Sequence, residues 1–313
     1  MNRRILALGT GALLALGSMV PVGAKPSPAT GPRAAGVDLS KYSADGPANR
    51  TELLFIHHSC GGQWLADVGG GPEGEGQQRE RCIYARHPNG GELRARLEAA
   101  GYVVHEASYG SDLGERTDLF DWLPKFKGKM DEVARSHHVV VFKSCFTNSD
   151  FVGVGAPPGD PAGPELTVAN AKATMTAVLT ELAKRPDVLF VYVTAPPLAP
   201  DGPVPAWRAF ARAAKRVLGR SHRLAPDESG ALARTFDDWM KSPDGWLSGY
   251  PRANVVVFDY FDVLTGDGRY DVSAYASGAG DSHPSSVGNE RATAAFVPFL
   301  NRALDRFERE GAK

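Results

Sequence analysis

The stretch Leu53-Leu-Phe-Ile-His-His-Ser59, followed by Cys60-Gly61-Gly62, decides how the rest of the chain reads. Four apolar residues too short for a helix, bounded by polar and Gly residues, describe a buried β-strand. The strand ends on a hydroxyl. Further segments of the same kind follow at Tyr102–Ala107, Val139–Phe142, Val188–Val193 and Val255–Phe258. Helical patterns separate them, at Gly91–Ala100, Asp118–Ala134, Leu166–Lys184, Pro205–Leu218 and Glu228–Met240, and Pro284–Glu308 closes the chain. The apolar stripe of Met175, Val178, Leu179 and Leu182 marks the fourth-turn spacing of a helix packed on one face. Five such alternations predict an α/β fold in which helices cover both faces of a five-stranded parallel sheet, as one domain over residues 51–310.

Composition sets the bounds. At 313 residues and 42% hydrophobic, the chain buries a large core by itself. A formal net charge of -1, with no basic run interleaved with aromatics, argues against nucleic acid and against an anionic membrane surface. Arg3-Arg4, the apolar stretch from Ile5 to Val22 and the small residues up to Ala24 read as a cleaved export signal over residues 1–24. The expected location is therefore secreted or periplasmic, with no stable membrane insertion after cleavage. Residues 25–50, rich in Pro, Gly, Ala and Ser, read as a flexible leader.

Three cysteines in an oxidising compartment predict one disulfide and one thiol left over. Cys60 and Cys145 follow neighbouring strands if the architecture is right, and Cys82 is the competing partner. Glycine-rich Gly69–Gly74 satisfies the dinucleotide pattern only formally, because Pro72, Glu73 and Glu75 stand where a pyrophosphate would lie. Asp267–Asp271 is an incomplete ligand series and reads as a polar turn.

The second informative segment is Asp281-Ser-His-Pro284, which places an imidazole two residues after a carboxylate, before the last helix. A hydroxyl at a strand end and a distant imidazole are the two halves of an activated-serine site. In order along the chain stand His57-His58-Ser59, Tyr109-Gly110, Cys145-Phe146-Thr147-Asn148 and Asp281-Ser282-His283-Pro284. That series resembles the SGNH (GDSL-like) hydrolase superfamily over essentially everything after residue 50. Two departures are visible. His57-His58 replaces the usual Gly-Asp, and the terminal Asp lies two residues before the His rather than three.

The resemblance implies a three-layer α/β/α fold with the flavodoxin-like strand order 2-1-3-4-5. It also implies an esterase working through an acyl-enzyme, with Ser59 as nucleophile, His283 as general base and acid, and Asp281 orienting the ring. The expected oxyanion donors are the Ser59 and Gly110 N–H groups and the Asn148 amide. Trp64 and Phe146 are the expected substrate-contacting aromatics. No cofactor is required, and the expected partner is a small-molecule or carbohydrate ester, with a short O-acyl group.

Other readings attach to the same residues. The scaffold could serve as an inactive binding module for carbohydrate or lipid, with the altered first motif in its favour. Cys60 is a candidate thiol nucleophile for acyl transfer. His58, Asp281 and His283 form a conceivable zinc set that lacks recognisable spacing. Asp281-Ser282 also suits an N-terminal cap for the last helix, and Thr117-Asp118 a cap for the helix carrying Trp122. Successive residues of a strand point to opposite faces, so His57 and His58 are expected to point apart, one into the core and one bracing the site floor.

Overall fold

The computed structural model describes residues 37–76, 78–199, 224–266, 275–278 and 280–311. The export signal, the helix expected over Pro205–Leu218 and the turn at Asp267–Asp271 lie outside the described residues. In chain order the strands are β1 (Thr51–Ile56), β2 (Asp67–Val68), β3 (Arg86–His87), β4 (Tyr102–Ala107), β5 (Val139–Lys143), β6 (Leu189–Val193), β7 (Val255–Phe258), β8 (Ala276–Gly278) and β9 (Asp281–Pro284). The described helices, numbered here in order, are α1 (Ser59–Leu65), α2 (Leu93–Ala99), α3 (Trp122–Val133), α4 (Val168–Leu182), α5 (Pro226–Lys241), α6 (Tyr260–Thr265) and α7 (Ser286–Gly311).

Five strands pair in parallel in the order β4-β1-β5-β6-β7. Counted among themselves, that is 2-1-3-4-5, the expected arrangement. The register sets Leu53 against Val139 and Ile56 against Phe142, while Ile56 faces Ala107 on the other side. Parallel strands aligned this way bring their C-terminal ends to one edge, and β1 and β5 meet where the connections reverse.

Alternation of side chains divides the core in two. Leu54, Ile56, Val140, Phe142, Phe190 and Tyr192 pack with Trp122 and Phe126 of α3, Met175 and Val178 of α4, and Phe236 and Met240 of α5. Leu53, Phe55, Val139, Val141, Leu189 and Val191 pack instead with Leu93 and Leu97 of α2 and Phe296, Leu300 and Leu304 of α7. Both faces of the sheet are thus covered, which explains why its strands read as continuous apolar runs. Each fully buried Leu or Phe contributes about 2 kcal/mol of apolar burial.

Helix starts follow their local chemistry. The Thr167 hydroxyl accepts the Asn170 N–H at the start of α4, and Pro226 opens α5, where its missing N–H costs nothing. Asp118 and Asp121 form a capping box on the short 3-10 turn Leu119–Asp121 that leads into α3. Among the described residues no helix is long and apolar enough to cross a membrane.

Two expectations are corrected here. Residues 37–50 are not a free leader: Leu39 and Tyr42 are buried, and the Ser43 N–H donates to Asp305 of α7 at 2.8 Å. Asn301 of α7 also donates to the Ala44 carbonyl at 2.7 Å. An isolated Leu and Tyr carry no period, so the anchor is invisible in the sequence. The second correction concerns Asp281, which does not cap the last helix. It stands in β9, which pairs antiparallel with β8, and α7 begins at Ser286.

Candidate active site

β1 ends at Ile56, so His57 and His58 lie beyond the strand rather than on it. The backbone then turns directly into α1, placing Ser59 in its first turn with the His58 carbonyl accepting the Gly61 and Gly62 N–H groups, each at 3.0 Å. Gly61 is required there. A Cβ on it would lie 2.3 Å from the Cβ of His57. Gly62 is equally constrained, by the Cys82 carbonyl at 1.8 Å from its Cβ position.

From the far end of the chain, β9 delivers His283. Its Nε2 lies 3.0 Å from the Ser59 Oγ, and its Nδ1 lies 2.8 Å from Asp281 Oδ1. The same carboxylate oxygen accepts the His283 backbone N–H at 3.0 Å. A two-residue spacing therefore suffices, because one carboxylate oxygen receives both the backbone and the ring of the same residue. Burial opposes ionisation of Asp281, but these His283 donors outweigh it and hold the carboxyl below its usual 3.8. Ser277 of β8 donates to the His283 carbonyl at 2.6 Å, and Asn89 donates to Ser277 at 3.0 Å, tying the hairpin to the body. The Phe146 ring meets the His283 ring edge-on, 5.0 Å between centroids.

The two histidines before Ser59 do point apart. His57 is fully buried, its Nδ1 2.8 Å from the His58 carbonyl and its Nε2 2.8 Å from Glu106 Oε2. Arg94 pairs with the other oxygen of Glu106. Burial, with Arg94 and Lys143 acting in the same sense, pushes His57 down to about 4. Both ring nitrogens face oxygen acceptors, and the neutral ring has one N–H to share between them. His58 stacks on Tyr109 at 3.7 Å and bonds the Gly114 carbonyl at 2.7 Å, and burial lowers its pKa. Among the described residues the side chains close enough to share a metal are Cys60, Cys145 and His283, without His58 or Asp281, which removes the expected zinc set.

Three expected site residues are placed otherwise. Trp64 is fully buried, donates to Thr293 at 2.9 Å and stacks on Tyr260 at 4.7 Å. Five residues along a helix amount to a rotation of roughly 140°, which turns Trp64 into the core and away from Ser59. The Gly110 N–H, at φ 72°, donates to Glu115 Oε2 at 2.7 Å and is already engaged. The Asn148 amide is engaged too. Its Oδ1 accepts the Leu119 N–H at 2.6 Å, and its Nδ2 donates to Asp118 at 3.0 Å and to the Cys145 carbonyl at 3.3 Å. Asn148 thus clamps the start of α3 to the loop after β5. Of the expected oxyanion donors, the Ser59 N–H in the first turn of α1 keeps its place beside the hydroxyl.

The sulfurs gather at the same point. All three cysteines carry free thiols in this structure, in place of the expected disulfide. Cys60 and Cys145 Sγ lie 3.0 Å apart, and Cys145 Sγ lies 3.5 Å from the Ser59 Oγ. Lys143, fully buried, donates to the Ser144 carbonyl at 3.0 Å and sits over the Tyr260 ring at 4.8 Å. Burial lowers its pKa while the two sulfurs oppose that change. The Cys60 S–H, the Ser59 hydroxyl, the Cys60 N–H and Lys143 together hold the Cys145 thiol well below its ordinary value. Burial raises Cys60 instead, and with no exposed surface it does not suit the role of nucleophile. The approach of Cys145 to Cys60 follows from their neighbouring strands, and it sets Cys145 against Ser59 as well.

Two glycine- and proline-rich insertions, Gly69–Gln78 and Gly153–Pro164, follow the first and third strands of the sheet in chain order; the first leads to Arg81, whose side chain crosses Gly110 close to where a Cβ would stand. The second packs along α4, where Asp160 N–H donates to Asn170 at 2.9 Å.

No protein-family model matches the chain, and none of the curated proteins matches it. Among solved structures it is similar to a protein from Bacteroides fragilis NCTC 9343 assigned as an acylhydrolase. The identity is 15%, covering 85% of this chain and 93% of that one, with a TM-score of 0.43. It is also similar to a lipase/acylhydrolase from Enterococcus faecalis, at 14% identity over 80% of this chain and 95% of that one, with a TM-score of 0.42. The strand order, rather than these distant likenesses, defines the fold.

Proposed function

We propose that the protein is a serine hydrolase that cleaves carboxylic esters through an acyl-enzyme. The observation that carries this reading is the unbroken relay from Ser59 Oγ to His283 Nε2, 3.0 Å, and from His283 Nδ1 to Asp281, 2.8 Å. Ser59 attacks the ester carbonyl while His283 takes its proton. Asp281 fixes the ring so that Nε2 faces the hydroxyl, and stabilises the imidazolium that forms. The oxyanion develops near the first turn of α1, where the Ser59 N–H stands. His283 then returns the proton to the leaving alcohol, and water repeats the sequence to free the acid. None of these steps calls for a cofactor.

The edge-on Phe146 beside His283 suits a short acyl or small aryl group, and an O-acylated sugar is the proposed natural class. The apolar segment after Arg3-Arg4 supports export, which the N-terminal residue of the mature protein would test.

A second reading has a specific observation in its favour. Gly110 and Asn148 both spend their donors inside the protein, which suits a scaffold that binds an ester or sugar without turning it over. Labelling with a fluorophosphonate and hydrolysis of a short aryl acetate separate the two, with Ser59→Ala and His283→Ala alongside. The enzyme reading expects labelling and turnover that vanish in both variants. Wild-type protein that neither labels nor turns over supports the binding scaffold, and labelling that survives Ser59→Ala rejects the assigned nucleophile.

A further inference from the structure

We propose that Cys60 and Cys145 form a reversible, peroxide-oxidised disulfide directly behind Ser59, and that its formation raises the activity of the site. The regulatory half rests on the esterase reading; the bond itself does not. The geometry is that of an attacking and a resolving sulfur. Cys145 Sγ contacts the Ser59 hydroxyl at 3.5 Å and the residue keeps 8% exposure, while Cys60 Sγ stands 3.0 Å from it and Cys60 is wholly enclosed. Lys143 is buried beside the pair, where its ammonium form favours a Cys145 thiolate while burial pulls its own pKa down. Cys82 is half-exposed, and its pKa is raised mainly by burial, which leaves it the less reactive thiol.

The chemistry closes without a further reactant. The Cys145 thiolate attacks one oxygen of a hydroperoxide, the O–O bond breaks, and a proton completes the water or alcohol that leaves. The resulting sulfenic acid is attacked by the Cys60 sulfur, the S–O bond breaks, and the hydroxyl departs as water with the Cys60 proton. Two thiols are oxidised and one hydroperoxide is reduced. Drawing the sulfurs from 3.0 Å to bonding distance needs a displacement of about 1 Å in total.

The consequence for Ser59 follows from charge. A thiolate next to the hydroxyl competes with His283 for its proton and repels the oxyanion of the tetrahedral intermediate. The disulfide is neutral and accepts hydrogen bonds weakly. Oxidation therefore releases the hydroxyl to His283.

The test uses the full-length protein, fully reduced and then exposed to hydrogen peroxide at a small molar excess. Peptide mass spectrometry is expected to find Cys60 joined to Cys145, reversed by dithiothreitol, with Cys82 free. Cys60→Ser is expected to trap Cys145 as a sulfenic acid that reacts with dimedone, and Cys82→Ser to leave the cross-link intact. On an aryl acetate, kcat/KM of the oxidised protein is expected to exceed that of the reduced protein at least fivefold. Cys145→Ala is expected to lose the response to peroxide. Cross-linking through Cys82, or Cys145 still a thiol after treatment, overturns the site. A zinc ion held by Cys60, Cys145 and His283 that shields both thiols overturns it as well. A mapped disulfide with unchanged or lower kcat/KM overturns the activating role alone. A protein with the disulfide and no esterase activity in either state counts against the enzyme reading, not against the bond.

Discussion

The two sides of the proposed relay are built differently. Ser59 rises from a floor in which His57, His58, Cys60 and Trp64 are all buried, and the Glu106 carboxylate beneath it is held by both Arg94 and His57. His283 arrives on a two-stranded hairpin, and the carboxylate that orients it is about half exposed, at 52%. One side is fixed by burial and paired charge, the other by a few hydrogen bonds within reach of water. On the esterase reading, the nucleophile stands on the enclosed side and the base on the exposed one.

The largest effect is expected at the relay itself. Ser59→Ala and His283→Ala are expected to lower kcat on an aryl acetate about ten-thousand-fold. A variant that keeps a tenth of wild-type activity would disprove the assignment.

The next effect is on stability, and it separates the two sides. Glu106→Ala removes the partner of Arg94 and His57 and is expected to cost about 3 kcal/mol in urea unfolding, as the loss of one member of an enclosed charge pair does. Asp281→Asn is expected to change the same measurement by less than about 0.5 kcal/mol, because the carboxylate is already in contact with water. Equal costs at the two positions would erase the distinction.

For activity, Asp281→Asn is expected to lower kcat by about 10- to 100-fold, near 2 kcal/mol. The loss is smaller than for an enclosed orienting carboxylate, since water can take over part of its role. Its pH behaviour has a defined sign. A carboxyl held below 3.8 stabilises the fold above that pH, and the contribution disappears as pH falls through the depressed value. The melting temperature of the Asn variant should therefore fall less than that of the wild type as the solution is acidified through that range.

The smallest expected effect concerns the missing oxyanion donor. Glu115→Ala frees the Gly110 N–H and removes a negative charge from its vicinity. Steady-state kinetics should show kcat raised about threefold, roughly 0.6 kcal/mol. A decrease would mean that Glu115 serves to hold the Gly110 loop in shape.

The five strands were legible because each carries an apolar run of strand length, and their neighbours carry a helical period. That Ser59, Asp281 and His283 meet was anticipated from a motif order resembling the SGNH hydrolases, a hydroxyl after the first strand and an Asp-x-His before the last helix. Trp64 misled because proximity in sequence was read as proximity in space, where a helical turn separates the two. Gly110 and Asn148 misled because a donor's availability depends on its neighbours: Glu115 in one case, Asp118 and the Cys145 carbonyl in the other. The β8–β9 hairpin had no signal, since Ala276–Gly278 is small and polar.

Sequence alone determined the layered sheet, because apolar period and strand length depend only on which residues follow which. It also determined which groups were available for chemistry. Tertiary structure decided which of them meet: Ser59 and His283, 224 residues apart in sequence, are brought by folding to 3.0 Å. It also set Cys145 against Ser59 and committed the amides of Gly110 and Asn148 elsewhere. Hydrogen bonds and charge pairs form between whatever the packed core brings together, and that packing is a property of the whole chain, which no local pattern contains.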